Sequence, residues 1–364
     1  MKKEVTIVGA GLVGSLLSIG FARRGYKVKV FERRPDMRKA KGEAGRSINL
    51  ALSDRGLLAL ERVGMAEEIK KIAIPMHGRF IHNQDGTNAF QPYGKQGQFI
   101  NSVSRSALNM KMMDLAEKEG IGIYFEQACT GIDWIQNKVT FGPRNVSSEF
   151  ELLFAADGAF SAARLQYQLQ HDKFNYAQEY IDCGYKELHI PPGTGGTFQL
   201  EKNALHIWPR TEYMLIALPN LDGSFTCTLF FPFEGPVSFA SLHTEEKVNS
   251  FFKEVFPDTI TLIPDLSKQF FNNPTSSLVT VRCYPWIDKD RFAMIGDAAH
   301  AIVPFFGQGM NCGFEDCRIL DELIDTYKED WEKILPAYQV LRKTDADAIA
   351  EMALNNFTEM REKT

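Results

Sequence analysis

Gly9, Gly11 and Gly14 follow directly on an apolar run, Val5-Thr6-Ile7-Val8, and lead into Leu16, Leu17, Ile19 and Phe21 at helical spacing. A short buried strand must therefore turn sharply into a helix within a few residues. Gly25 stops that helix after Arg24, and Lys27-Val28-Lys29-Val30-Phe31-Glu32 reads as a second strand ending on an acid. Strand, G-x-G-x-x-G turn, helix and acid-terminated strand make the βαβ unit in which a dinucleotide binds. Gly9 permits the tight turn, Gly11 lets the backbone approach a pyrophosphate, and Gly14 lets helix and strand pack closely. Glu32, about 20 residues beyond the glycines, is placed to accept hydrogen bonds from adenosine ribose hydroxyls.

A second glycine-rich stretch lies near the other end: Gly296-Asp297-Ala298-Ala299-His300-Ala301-Ile302-Val303-Pro304-Phe305-Phe306-Gly307-Gln308-Gly309-Met310-Asn311. It follows a strand-like run over 291–295 and opens a helix through Phe314, Leu320 and Leu323. Backbone N–H groups and a helix N-terminus there suit an anionic or electron-rich cofactor edge. A nicotinamide dehydrogenase has no need of such a loop, so the two motifs together point to a flavin. Between them, Asp157-Gly158-Ala159-Phe160-Ser161, with Arg164, ends a further strand over 149–155.

Acidic and basic residues are interspersed and sum to a net charge of −5, which gives nucleic acid no electrostatic foothold. The most basic stretch, 33–46, reads as a loop beside cofactor phosphates or as a solvated face. Cys129, Cys183, Cys227, Cys283, Cys312 and Cys317 include no C-x-x-C pair, so no metal site or disulfide framework is expected and the compartment reads as reducing. The chain runs from Met1 straight into the first strand, and no apolar run reaches about 18 residues. A cytoplasmic protein without a membrane anchor is the expectation.

The expected architecture is α/β, a Rossmann-like dinucleotide-binding domain with an inserted, mostly antiparallel β-sheet domain and C-terminal helices. Residues 1–75 hold the opening βαβ part and 76–100 a hairpin with an Asn83-Gln84-Asp85-Gly86 turn. Residues 101–178 return to the cofactor domain, starting with a helix over 104–118. The β-sheet substrate domain occupies 179–288, the Gly296-Asp297 part 289–330, and two helices, over 331–341 and 345–361, complete 331–364.

Gly9-x-Gly11-x-x-Gly14, Asp157-Gly158 and Gly296-Asp297, in that order, resemble the single-component flavin-dependent aromatic hydroxylases of the para-hydroxybenzoate hydroxylase fold. Four further strings narrow the resemblance to the kynurenine-hydroxylating members and extend it over essentially the whole chain. They are Gly45-Arg46-Ser47-Ile48-Asn49-Leu50-Ala51-Leu52-Ser53, Pro92-Tyr93-Gly94, Ser102-Val103-Ser104-Arg105 and the run from Pro304 to Cys317. The resemblance implies a Rossmann-like FAD-binding domain of the GR2 flavoprotein type with bound FAD, contacted at Val13, Glu32, Arg33, Ala51, Arg105, Asp157, Gly158, Asp297, Gly309, Met310 and Asn311 besides the three glycines. Glu32 suits ribose hydroxyls, Arg105 the pyrophosphate, Asp297 the ribityl chain, and the Met310 and Asn311 N–H groups a reduced ring.

The resemblance also implies a substrate, L-kynurenine, with Arg79 and Tyr93 on its α-carboxylate and Asn356 as a further contact. Arginine offers a carboxylate two parallel N–H groups and tyrosine a third donor. Phe230, Pro304, Phe305 and Gln308 are candidates for the pocket around the aryl ring. NADPH is the implied transient reductant and O₂ the co-substrate. Oxygen added at flavin C4a performs the hydroxylation of an already electron-rich aniline, so no catalytic side chain is expected and His300 reads as structural. The implied setting is tryptophan degradation and pyridine-nucleotide biosynthesis. Members of the family continue past Thr364 with a helical region that closes the substrate site, so either a shortened or a trimmed form is expected. The residues leave two other readings open: hydroxylation of another aromatic acid, and a flavin-binding protein with little turnover.

Overall fold

The computed structural model describes residues 3–39, 48–95, 97–143 and 145–362, with side chains as far as 356. Gly45, Arg46 and Ser47, and residues 40–46 of the basic stretch 33–46, lie outside the described residues. The opening βαβ unit is Glu4–Val8, helix Leu12–Arg23 and Lys27–Phe31. Its strands sit inside a six-stranded sheet in the order Ile287–Asp288, Phe292–Met294, Leu152–Ala155, Glu4–Val8, Lys27–Phe31, Gly122–Tyr124. Every pairing is parallel except the Ile287–Asp288 edge. The central strands are buried on both faces, which explains why Leu152–Ala155 is apolar throughout rather than alternating. Helix Leu12–Arg23 covers this sheet with helices Arg105–Lys118 and Gly309–Tyr327 beside it.

A seven-stranded sheet faces this unit, in the order Thr275–Tyr284, Asn175–Ile190, Phe225–Pro232, Tyr213–Pro219, Ala204–Arg210, Gly78–His82, Asn88–Pro92. The early hairpin Gly78–His82/Asn88–Pro92 belongs to it, joined in parallel to Ala204–Arg210 with Arg79 beside Leu205 and Ile81 beside Ile207. Alternation gives the sheet two unlike faces. His206, Trp208, Leu215, Cys227 and Leu229 turn to a core closed by helices Glu245–Val255 and Leu266–Asn272. Ile207, Ile216, Met214, Phe230 and Tyr185 turn the other way, onto Val303, Phe305 and Ala353. Arg79 shares that second face by register.

The C-terminal segment departs from expectation. One helix runs over Trp331–Glu362, where the sequence suggests two. The polar run at 342–344 reads as a break, but Arg342 is 1% exposed and lies on the buried stripe with Ile334, Leu335, Tyr338 and Ala346. Its charge is neutralised inside the protein, so the helix has no reason to end there. No helix among the described residues is long and apolar enough to cross a membrane.

Candidate functional site

At the first motif the backbone is fixed by what a side chain would strike. Gly9 has φ +105°, and a Cβ there would lie 2.5 Å from the Ala156 carbonyl oxygen. A Cβ on Gly14 would lie 2.0 Å from the Gly9 oxygen. At Gly11 a Cβ would meet nothing within 4 Å, so the space the motif keeps clear opens away from the protein. Gly11 caps helix Leu12–Arg23, and the first helical bond is Ser15 N to Gly11 O at 2.9 Å. The N–H groups ahead of it, with the positive end of the helix dipole, face that opening, which is the geometry a pyrophosphate requires.

Glu32 ends the second strand with its carboxylate buried. One oxygen accepts from Ala10 N at 2.9 Å, and the other from Arg34 N at 3.0 Å and Arg34 Nε at 2.9 Å. Burial pushes this carboxyl up, but Arg34 and the two amides outweigh it and hold it below the usual range. Arg33 is exposed beside it. Asp157 is committed locally: its oxygens accept from Ser161 Oγ, Ala162 N at 2.8 Å and Ala163 N at 3.1 Å, capping helix Ala162–Gln170. Gly158 follows with φ +86°.

The two glycine motifs interlock through Val13. A Cβ on Gly296 (φ +61°) would lie 2.9 Å from a Val13 methyl, and one on Gly313 2.6 Å from it. Asp297, next in sequence, is exposed although protein surrounds it densely. That surrounding, with the nearby Asp316 charge, pushes its carboxyl up against the opposing charges of Arg105 and His300. Arg105 begins helix Arg105–Lys118 and is exposed. Helix Gly309–Tyr327 makes its first bond from Cys312 N to Gln308 O at 2.8 Å, which leaves the Gly309, Met310 and Asn311 N–H groups at its open end. The Asn311 side chain is fully engaged: it donates to Ala51 O at 2.8 Å and Gly307 O at 3.0 Å, and accepts from Ser53 N at 3.0 Å.

The expected substrate residues converge less completely. Phe230 and Phe305 pack with ring centroids 5.0 Å apart. Asn356, from the C-terminal helix, donates to the Phe305 carbonyl at 2.6 Å. Pro304 is exposed, and Gln308 stands partly exposed at the start of its helix. Arg79 and Tyr93 form a second group at the hairpin end of the same sheet face. The Arg79 guanidinium lies 5.6 Å from the centre of the Tyr93 ring. The Tyr93 hydroxyl is shielded from solvent with no partner among the described residues, and burial raises it against the opposing Arg79 charge.

Sequence reasoning missed what holds these parts together. Asp316, wholly buried, accepts from Gly296 N at 3.0 Å and stands 2.6 Å from His300 Nε2 with one oxygen; the other accepts from Arg342 Nε at 2.7 Å. Burial works against a charge on His300, but Asp316 outweighs it and holds the imidazole well above its usual range. His300 is thus enclosed and committed. His300, Cys312 and Asp316 each bring one ligand atom within 4.8 Å of the others, yet the Arg342 guanidinium, 3.3 Å from the Cys312 sulfur, already supplies the cation. A charged residue on the apolar stripe of a helix was the available signal, because buried charge needs a partner.

A family model described as an FAD binding domain matches residues 2–202 and 244–353. The kynurenine 3-monooxygenase of Flavobacterium johnsoniae is 52% identical over 365 residues, covering 99% of this chain and 81% of that protein. Those of Myxococcus xanthus and Dictyostelium discoideum are 53% and 47% identical, covering all of this chain and 79% and 81% of theirs. Among solved structures, 2-methyl-3-hydroxypyridine-5-carboxylic acid oxygenase matches with a TM-score of 0.80 at 18% identity, over 100% of this chain and 94% of that one. Klebsiella pneumoniae HpxO complexed with FAD matches with 0.81 at 17%, over 99% and 91%. These structures show the fold, that of the para-hydroxybenzoate hydroxylase type. With the family model spanning most of its length and such identity end to end, this chain belongs to the kynurenine 3-monooxygenase family of FAD-dependent monooxygenases.

Proposed function

We propose that this chain hydroxylates L-kynurenine at the ring carbon beside the amino group, giving 3-hydroxykynurenine. O₂ supplies the oxygen and NADPH the electrons, in tryptophan degradation leading to pyridine nucleotides. The observation that supports this reading is the sheet face with the Arg79–Tyr93 pair at one end and the packed rings of Phe230 and Phe305 at the other. A carboxylate accepts from Arg79 and Tyr93 together, while the aryl ring lies toward Phe230 and Phe305 with Asn356, Pro304 and Gln308 around it. FAD, when bound, supplies the activation of O₂ and the oxygen transfer.

The residues present fit that cofactor. Gly9, Gly11, Val13 and Gly14 shape the pyrophosphate opening, and Arg105, exposed at the start of its helix, is the cation for that pyrophosphate. Glu32 and Arg33 flank the adenosine end, Ala51 and Asp297 the ribityl chain, and Gly309, Met310 and Asn311 offer N–H groups to the ring. Asp157 and Gly158 shape the neighbouring loop. The protein then has two tasks: to hold the aniline ring in place and to keep water from it. No proton abstraction from an aniline ring is needed for attack, and the enclosed His300 is not asked for one.

The test is NADPH oxidation by the FAD-loaded protein with and without L-kynurenine, combined with product analysis. Stimulated oxidation with 3-hydroxykynurenine formed in matching amount is the expected result. Stimulation yielding only hydrogen peroxide would mean the ligand binds without productive closure. No stimulation by kynurenine, but stimulation by another aromatic acid, would sink the substrate assignment.

A further inference from the structure

Three buried ionisable side chains beside the start of helix Gly309–Tyr327 have no part in the proposed reaction. Those of His300, Asp316 and Arg342 are 3%, 0% and 1% exposed. Asp316 Oδ2 lies 2.6 Å from His300 Nε2, and its Oδ1 accepts from Arg342 Nε at 2.7 Å. Cys312 sits one turn before Asp316 on the same helix face, its sulfur 3.3 Å from Arg342 Nη2 and 3.9 Å from His300 Nδ1. The Trp286 indole packs on the imidazole with ring centres 5.1 Å apart.

Counting charges gives this cluster a sign. Burial opposes a charge on His300 and on Arg342, but Asp316 outweighs it and keeps both cationic. Burial likewise raises Asp316, and His300 and Arg342 together hold its carboxyl below the usual range. Two cations therefore share one wholly buried anion. Asp345, 3.2 Å from Arg342 Nη1, is 64% exposed, so water screens it. Glu315 lies 3.0 Å from the same nitrogen but divides its charge with Arg55 at 3.5 Å and Arg318 at 3.2 Å. The interior is left with a net positive charge where the dielectric is low.

The field of this cluster reaches the cofactor side. Burial is the first cause of the raised Asp297 carboxyl; after Arg105, the charges it feels are His300, which lowers it, and Asp316, which raises it. Asp316 also holds Gly296 N at 3.0 Å. Arg342 Nη2 lies 3.4 Å from the Cys312 carbonyl oxygen, in the turn whose first N–H groups stand open. Hydride transfer from NADPH leaves NADP⁺ and one negative charge on the flavin ring. A fixed cation near that ring favours the reduced state.

We propose that the His300–Asp316–Arg342 cluster is a built-in positive charge that raises the reduction midpoint of bound FAD, acting through its field and not by contact. This rests on the reading that the ring lies at the open N–H groups of Gly309, Met310 and Asn311. The test is the midpoint of FAD bound to the full chain, from anaerobic reduction against a reference dye. His300→Gln keeps a donor for Asp316 and removes one cation. The oxidised form should gain about tenfold over the reduced one, about 30 mV downward for a two-electron couple. Glu315→Gln removes an anion beside Arg342 while His300, Asp316 and Arg342 stay, and should move the balance about threefold the other way. Opposite signs are the signature, because loosened packing would move both variants alike. No shift in His300→Gln, or shifts of one sign in both variants, overturns the proposal. Should His300→Gln fail to fold or to hold FAD, Glu315→Gln decides alone: an upward shift supports the charge, and an unmoved or lowered midpoint overturns it. Gln308→Glu, which puts an anion at the open helix end, separates the two readings. If it lowers the midpoint and His300→Gln does not, the cluster is silent and the ring placement stands. If neither moves the midpoint, the ring does not lie at that helix end and both readings fall.

Discussion

Around Gly9, Gly11 and Gly14 the constraints are backbone constraints: a carbonyl 2.5 Å from one absent Cβ, another 2.0 Å from a second, and a helix end facing open space. Across the cleft nothing is local. Arg79 comes from an early hairpin, Phe230 from a strand about 150 residues later, Phe305 from the loop after Gly296-Asp297 and Asn356 from the last helix. The cofactor side is thus fixed by short backbone motifs packed on one another, the Gly9–Gly14 turn against Ala156 and Val13 against Gly296 and Gly313, whereas the substrate side exists only once a seven-stranded sheet has its register. Damage to the first should appear in the fold itself, and damage to the second mainly in substrate binding.

Asp316 stands where the two sides meet, since it holds Gly296 N, His300 and the Arg342 of the helix that carries Asn356. Asp316→Asn removes the buried carboxylate shared by His300 and Arg342, leaving Arg342 to Glu315 at 3.0 Å and the exposed Asp345 at 3.2 Å, and a loss of about 3–5 kcal/mol in urea unfolding is expected. A loss below about 1 kcal/mol would show that the two sides are not joined here. The signs of the shifts give a pH signature. His300 is raised by Asp316, so its contribution is full below the ordinary histidine range and is lost as pH rises through the raised value. Asp316 is lowered by His300 and Arg342 against the effect of burial, so its contribution is lost only as pH falls through the depressed value. Stability should fall on the alkaline side by at most about 1.4 kcal/mol per pH unit, and His300→Gln should abolish that limb.

Gly14→Ala forces a methyl against the Gly9 carbonyl, and overpacking of this kind costs about 1–3 kcal/mol. The unfolding midpoint of the cofactor-free protein should drop and FAD should not be retained. Arg79→Met is its counterpart on the substrate side. Arg79 is exposed, so the unfolding curve should stay where it is while KM for kynurenine rises about tenfold to a hundredfold. If Arg79→Met instead shifted the unfolding curve, the contrast between the two sides would break.

The same contrast decided what the sequence made legible. The βαβ unit, the Gly296-Asp297 loop and the hairpin turn were readable because each is written in consecutive residues with a backbone reason. The parallel junction of Gly78–His82 with Ala204–Arg210 was not, because no short spacing encodes which strand a hairpin joins. Nor was the continuity of helix Trp331–Glu362, since the polar Arg342-Lys343-Thr344 resembles a linker until Asp316 is seen beneath it. Asp157 shows a subtler gap: its place after a strand suggests a ligand contact, while both of its oxygens already cap helix Ala162–Gln170.

Gly11→Ala is the smallest change with the sharpest meaning. Its backbone, φ −71° and ψ −175°, is open to any residue, and the added methyl meets no protein atom within 4 Å. Alanine is a poorer helix cap than glycine, so the cofactor-free protein should lose about 0.5 kcal/mol or less. The methyl nevertheless projects into the opening that the helix end faces. If a pyrophosphate approaches the backbone there, FAD affinity measured by fluorescence titration should fall about tenfold or more while the unfolding midpoint stays nearly still. Unchanged FAD affinity would mean that the clear space at Gly11 is not where the cofactor lies, and the backbone account of that side would have to be rebuilt around Gly309, Met310 and Asn311.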